Sequence, residues 1–119
     1  MARVLVVDDA AFMRVRAARV LEEAGHEVAQ AENGAEAIRQ YADFRPDAVL
    51  MDITMPDMDG LTALKEIRKL DPAARVAMVT AMGQQSIVME ALRAGAKDFV
   101  LKPFQPDRVL AALQKLLAA

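Results

Sequence analysis

The chain has no cysteine, so disulfides and thiolate metal sites are unavailable to it, and its composition suits a reducing compartment. It has one histidine, His26, directly after the glycine that closes a helical stretch, which reads as a surface turn residue rather than a catalytic base. Neither sign of charge dominates. With 15 basic and 17 acidic residues the net charge is −2, without the basic excess of a nucleic-acid-binding surface. No apolar run approaches the ~18 residues of a membrane span. No glycine-rich phosphate loop follows the first apolar run, which argues against a nucleotide-binding enzyme. A strand-like segment starts almost at Met1, so no signal peptide is expected and the cytoplasm is the expected location. Repeats, linkers and low-complexity tracts are lacking as well, and residues 1–119 read as one compact domain.

What is present is an alternation. Apolar runs of strand length, RVLVV (3–7), EVAQA (27–31), DAVLM (47–51), RVAMVT (75–80) and DFVL (98–101), are separated by longer amphipathic stretches. The first of these places Ala10, Met13, Ala17, Val20, Leu21 and Ala24 at three-and-four spacing and stops at Gly25, where a helix C-cap glycine belongs. The second runs from Asn33-Gly34 with Ala37, Ile38, Tyr41 and Phe44 on one face. A third spans residues 60–70 with Leu64, Ile67 and Leu70 inward, and a fourth spans 84–94 before Gly95. The last begins near Pro106 and aligns Val109, Leu110, Leu113, Leu116 and Leu117. EVAQA is the most polar of the strands and fits a sheet edge. Five strands alternating with five helices predict a parallel sheet covered on both faces. Ligands of such sheets bind outside the carboxyl ends of the strands.

Those ends carry a specific inventory. Strand one runs into Asp8-Asp9, strand three into Asp52, strand four ends at Thr80 and strand five precedes Lys102. Taken singly, each has a plain explanation: Asp8 or Asp9 as a helix cap, Asp52 as a loop polar residue, Thr80 as a strand end, Lys102 as a solvated cation. Two adjacent carboxylates, however, repel by roughly 4 kcal/mol at ~4 Å when the effective dielectric is about 20. If strands one, three, four and five are neighbours, three carboxylates, a hydroxyl and an ammonium face one crevice. Hard oxygen ligands in that number suit Mg²⁺. In such a crevice Asp52 is placed to act as a nucleophile toward phosphorus, with Thr80 and Lys102 placed to meet phosphoryl oxygens. Eight methionines, among them Met51, Met55, Met58, Met78 and Met82, read as core filling more readily than as an adaptable contact surface.

The segments VVDD (6–9), MDITMPDMDG (51–60), VTAMG (79–83) and KPF (102–104), in this order and spacing, resemble the receiver domains of response regulators over the whole chain. DDAAFMR (8–14), AMGQQ (81–85) and KPFQP (102–106) are similar to single-domain chemotaxis regulators in particular. The resemblance implies a flavodoxin-like, doubly wound sheet of strand order 2-1-3-4-5 with five helices. It implies Asp52 as phosphoacceptor within an acidic pocket of Asp8, Asp9 and Asp52. Asp9, Asp52 and the backbone carbonyl of Thr54 would hold Mg²⁺, and Thr80 and Lys102 would contact the phosphoryl group. Thr80 and Phe99 match the family's switch pair, with Phe99 lacking a phenolic hydroxyl. Thr54 and Met82 occupy positions that tune dephosphorylation, and the Lys102-Pro103 bond is expected to be cis.

The implied partners are a histidine kinase of the CheA-like kind, a flagellar motor switch protein or other output protein, and a phosphatase. The switch surface would be helix four, strand five and helix five of a monomer, with no nucleic acid or membrane involved. Such a protein is not an enzyme beyond promoting its own phosphotransfer and dephosphorylation. One alternative is a receiver belonging to a larger regulator such as a transcription factor. Another is a haloacid-dehalogenase-like phosphohydrolase, but that class needs a second Asp two residues after the first, where this chain has Thr54, and a cap domain that is missing.

Overall fold

The computed structural model describes residues 1–81 and 83–118. Ten elements alternate along the chain: β1 (Arg3–Val7), α1 (Ala11–Glu23), β2 (Glu27–Ala31), α2 (Gly34–Phe44), β3 (Ala48–Asp52), α3 (Gly60–Leu70), β4 (Val76–Thr80), α4 (Gln85–Arg93), β5 (Asp98–Leu101) and α5 (Pro106–Ala118). The strands form one parallel sheet in the order β2-β1-β3-β4-β5. This is the expected flavodoxin-like arrangement, with the polar strand β2 at an edge.

Every residue of β3 and β4 is buried, as strands covered on both faces must be. Alternation along the strands divides the core in two. Leu5, Val7, Val49, Met51, Val76 and Met78 pack with α2, α3 and α4 through Ala37, Tyr41, Leu64, Ile67 and Val88. Val4, Val6, Leu50, Ala77, Val79 and Val100 face the other way and pack with α1 and α5 through Ala17, Leu21, Val109, Leu113 and Leu116. Met51, Met55 and Met78 are core residues and Met58 packs at the core's margin, so the gap-filling reading holds for these four. Met82 lies outside the described residues.

Local signals set the helix limits. The side chains of Asn33 and Asp59 accept from the N–H groups of Glu36 and Thr62, each at 2.8 Å, and open α2 and α3. Gly25 and Gly95 follow α1 and α4 with φ of +94° and +114°, a conformation that side chains with a Cβ rarely adopt.

Ala10 and Ala24, expected on the apolar face of the first helix, are instead the exposed residues that flank α1 at its two ends, and two larger apolar residues also depart from the expected pattern. Leu70, assigned inward, is 57% exposed because it is the last residue of α3 and lines an open groove with Tyr41, Arg45 and Pro46. Phe44 sits at the end of α2 and stacks beneath the guanidinium of Arg3, 4.2 Å from the ring centroid, instead of entering the core. His26 is half-buried rather than freely solvated, and its Nδ1 accepts from the N–H of Ala2 at 3.0 Å. Among the described residues no helix is long and apolar enough to cross a membrane.

Candidate functional site

The sheet order brings the carboxyl ends of β1, β3, β4 and β5 side by side. Asp8, Asp52 and Thr80 are buried, and they are three of the four buried polar side chains among the described residues. Burying charge is costly unless it is matched, so their concentration at one end of the sheet needs a cause. Lys102 supplies part of it. Its Nζ lies 3.1 Å from Asp8 Oδ2 and 3.2 Å from Asp52 Oδ1 and bridges the two carboxylates. The backbone of Lys102 is anchored as well, its N–H donating to the carbonyl of Thr80 at 2.7 Å. The Lys102-Pro103 peptide is cis, as the resemblance implied.

One ammonium does not balance three carboxylates. Ligand oxygens of Asp8, Asp9 and Asp52 all lie within 4.8 Å of one another, with Asp9 exposed at the rim. Burial, followed by the charge of Asp8, raises the Asp52 pKa to about 7, with Lys102 pulling it down and Asp9 adding to the rise. Burial depresses the Lys102 pKa, but attraction to Asp52 and Asp8 outweighs it and the net shift is upward. The site therefore holds more negative charge than it neutralises. An octahedral Mg²⁺ shell with ligands at about 2.1 Å spaces them about 3–4 Å apart. The three carboxylates match it in chemistry and approximate span, so the residues present fit a small hard cation.

The helix-cap explanation for the aspartate pair fails. Ala10, not an aspartate, stands at the N-cap of α1, without a side-chain cap bond. Asp8 Oδ1 instead accepts from the N–H of Ala10 at 2.9 Å, which turns the chain and leaves Oδ2 for Lys102. Arg14, which the sequence reading passed over, donates through Nη1 to the Asp8 carbonyl at 2.7 Å and through Nε to Gln30 at 3.2 Å, holding that turn. Behind Asp52, Gly60 packs so closely that a Cβ there would come within 2.1 Å of the Asp52 carbonyl oxygen. Only a glycine lets α3 begin this near the end of β3.

Thr80 and Thr54 face one further residue that no motif singled out. The Gln84 carboxamide oxygen accepts from Thr80 Oγ1 at 2.7 Å and from the Ala81 N–H at 2.8 Å. Its nitrogen donates to Thr54 Oγ1 at 2.8 Å. Gln84 lies within AMGQQ, but neither spacing nor charge marks it there. Phe99, on the outer face of β5, is 37% exposed and lines an apolar groove against α4 with Val88, Met89, Leu92 and Leu101. Arg108 Nη2 donates to the Phe99 carbonyl at 2.5 Å and reaches the buried Asp98 at 3.5 Å, tying α5 to β5.

A parallel 2-1-3-4-5 sheet with an acidic pocket and an invading lysine at its carboxyl ends defines a class, and comparison with known proteins agrees. Residues 4–114 match the family described as response regulator receiver domain. The chain is 60% identical over 116 residues to the chemotaxis protein CheY of Bacillus subtilis (strain 168), covering 97% of both chains. It is 56% identical over 115 residues to the CheY of Thermotoga maritima, covering 96% of both. Its fold superposes on the crystal structure of NtrX from Brucella abortus with a TM-score of 0.94 at 35% identity, covering 98% of this chain and 27% of that longer one. The chain belongs to the response-regulator receiver family of two-component systems. Within it, this is a CheY-like receiver domain.

Proposed function

We propose that this protein is a phosphorylation-controlled chemotaxis switch in the cytoplasm, with Asp52 as the phosphoacceptor. The observation that carries the reading is the Asp52 carboxylate itself, buried between Asp8 and Lys102 beside a pocket suited to a divalent cation. Asp9, Asp52 and the backbone carbonyl of Thr54 would hold Mg²⁺, with Asp8 completing the acidic pocket. The ion supplies charge neutralisation at the transferring phosphoryl group. Asp52 must attack as the anion, and a pKa near 7 leaves a usable anionic fraction even before a cation favours it further. An Asp52 oxygen forms a bond to phosphorus as the P–N bond of a kinase phosphohistidine breaks, and the imidazole departs with the bonding pair. Lys102 then turns from its carboxylate partners toward the phosphoryl oxygens as a compact cation, and the Thr80 hydroxyl donates to one of them.

The donor is a CheA-like histidine kinase, and the output is binding to a flagellar motor switch protein through α4, β5 and α5. A phosphatase resets the state, with Thr54 and Met82 tuning its lifetime. The protein promotes its own phosphotransfer and dephosphorylation and is otherwise not an enzyme. A second reading, a receiver working within a larger regulator, draws support from the likeness to NtrX, whose chain is several times longer. Intact mass after incubation with acetyl phosphate and Mg²⁺ tests the central claim. One phosphoryl group on the native chain and none on Asp52→Asn is the expected result, and equal modification of both overturns it.

A further inference from the structure

Gln84 joins three strand-end groups through one carboxamide, and the orientation of that carboxamide is determined. The Ala81 N–H can only donate, so the atom 2.8 Å from it must be the oxygen, and the same oxygen receives Thr80 Oγ1 at 2.7 Å. The nitrogen consequently faces Thr54 Oγ1. A hydroxyl carries a single hydrogen. The Ala81 carbonyl, 3.2 Å from Thr80 Oγ1, is the poorer acceptor, so that hydrogen is held by Gln84. Gln84 also opens α4: it directly precedes Gln85, and its carbonyl accepts from the N–H of Val88 at 3.0 Å. The hydroxyl of Thr80 and the start of α4 are thus tied to one side chain.

We propose that Gln84 is a positioning residue that latches Thr80 and the first turn of α4 in the resting arrangement. A phosphoryl oxygen on Asp52 competes with it for the Thr80 hydrogen. The inference rests on Asp52 being the phosphoacceptor. A phosphoryl oxygen is a charged acceptor and forms the stronger hydrogen bond, so the competition favours release. Once Thr80 lets go, the Gln84 carboxamide keeps only its bonds to Ala81 and Thr54, and the first turn of α4 loses one of the two side-chain bonds that hold it to the end of β4. The latch sets how far the unmodified protein lies from its active form.

The test is an equilibrium titration of the full chain with beryllofluoride, a stand-in for the phosphoryl group, at saturating Mg²⁺, read by the backbone amide spectrum. Gln84→Ala no longer holds the hydroxyl and should bind beryllofluoride roughly 2- to 12-fold more tightly than the native chain, the value of one neutral hydrogen bond. Thr54→Val, which removes the anchor of the amide nitrogen, should give a smaller gain of the same sign. In a Thr80→Ala background, adding Gln84→Ala should give no gain, because no hydroxyl remains to release. Unchanged or weaker binding by Gln84→Ala, or a full gain without Thr80, overturns the latch. Failure of the native chain to bind beryllofluoride overturns the phosphoacceptor reading instead. The Thr80 χ1 coupling in ligand-free protein then still judges the latch: a single rotamer in the native chain that becomes averaged in Gln84→Ala supports it, and identical couplings sink it.

Discussion

The N–H of Lys102 donates to the carbonyl of Thr80 at 2.7 Å, so the residues that end β4 and follow β5 share one backbone rung. Their side chains are therefore carried on a rigid sheet edge rather than on free loops. That placement matters because a phosphoryl group has to be met from several directions within a few tenths of an ångström. Lys102 then spends its charge on Asp8 and Asp52, which would otherwise oppose each other across a buried space.

Removal of that ammonium should separate metal binding from phosphoryl acceptance. In Lys102→Ala the carboxylates lose their competing cation, and Mg²⁺ affinity measured by calorimetric titration should rise roughly 3- to 10-fold. The rate of phosphorylation by acetyl phosphate, followed by intact mass, should fall by about 10²-fold through loss of a charged transition-state contact. A fall in both quantities would show that Lys102 organises the pocket rather than acting on the phosphoryl group.

The raised Asp52 pKa makes the metal-free fold sensitive to pH. Between an ordinary value of 3.8 and about 7 the folded protein binds a proton that the unfolded chain has already lost. Stability therefore falls as pH rises through that window, and the loss is complete above it. Asp52→Asn has no such proton. With EDTA present it should be more stable than the native chain by a margin that is small at pH 5 and reaches the order of 2–4 kcal/mol at pH 8. Urea denaturation at the two pH values checks this, and a margin independent of pH would contradict it.

Phe99 should change rotamer, not backbone position, on phosphorylation. Arg108 pins its carbonyl, while its ring is 37% exposed beside the α4 groove. Turning the ring into space vacated by Thr80 would bury the remaining apolar surface, a gain of about 1–2 kcal/mol, comparable with the gap between two states of a switch. Structures with and without beryllofluoride and Mg²⁺ should show the ring inward only in the complex. Identical Thr80 and Phe99 rotamers in both would end this account of output.

Much of the protein was legible in its sequence because the signals are local. A strand buried on both faces must be continuously apolar, and VLVV, AVLM and VAMV are. A helix against a sheet must carry apolar residues every three or four positions, and helix-end residues such as Asn33, Gly25 and Gly95 act on their own neighbours. The site residues stood out because each ends a strand, and parallel strands all end on the same side. What the tertiary structure decided were contacts between residues far apart in the chain. That Asp8 serves Lys102 rather than capping α1 depends on where β5 lies. The exposure of Leu70 depends on what surrounds the end of α3. The role of Gln84 depends on two loops meeting, the one after β4 that carries it four residues from Thr80 and the one after β3 that carries Thr54, 30 residues away. A carboxamide has no charge and no periodicity to announce itself, and its partners exist only after the sheet has brought the strand ends together.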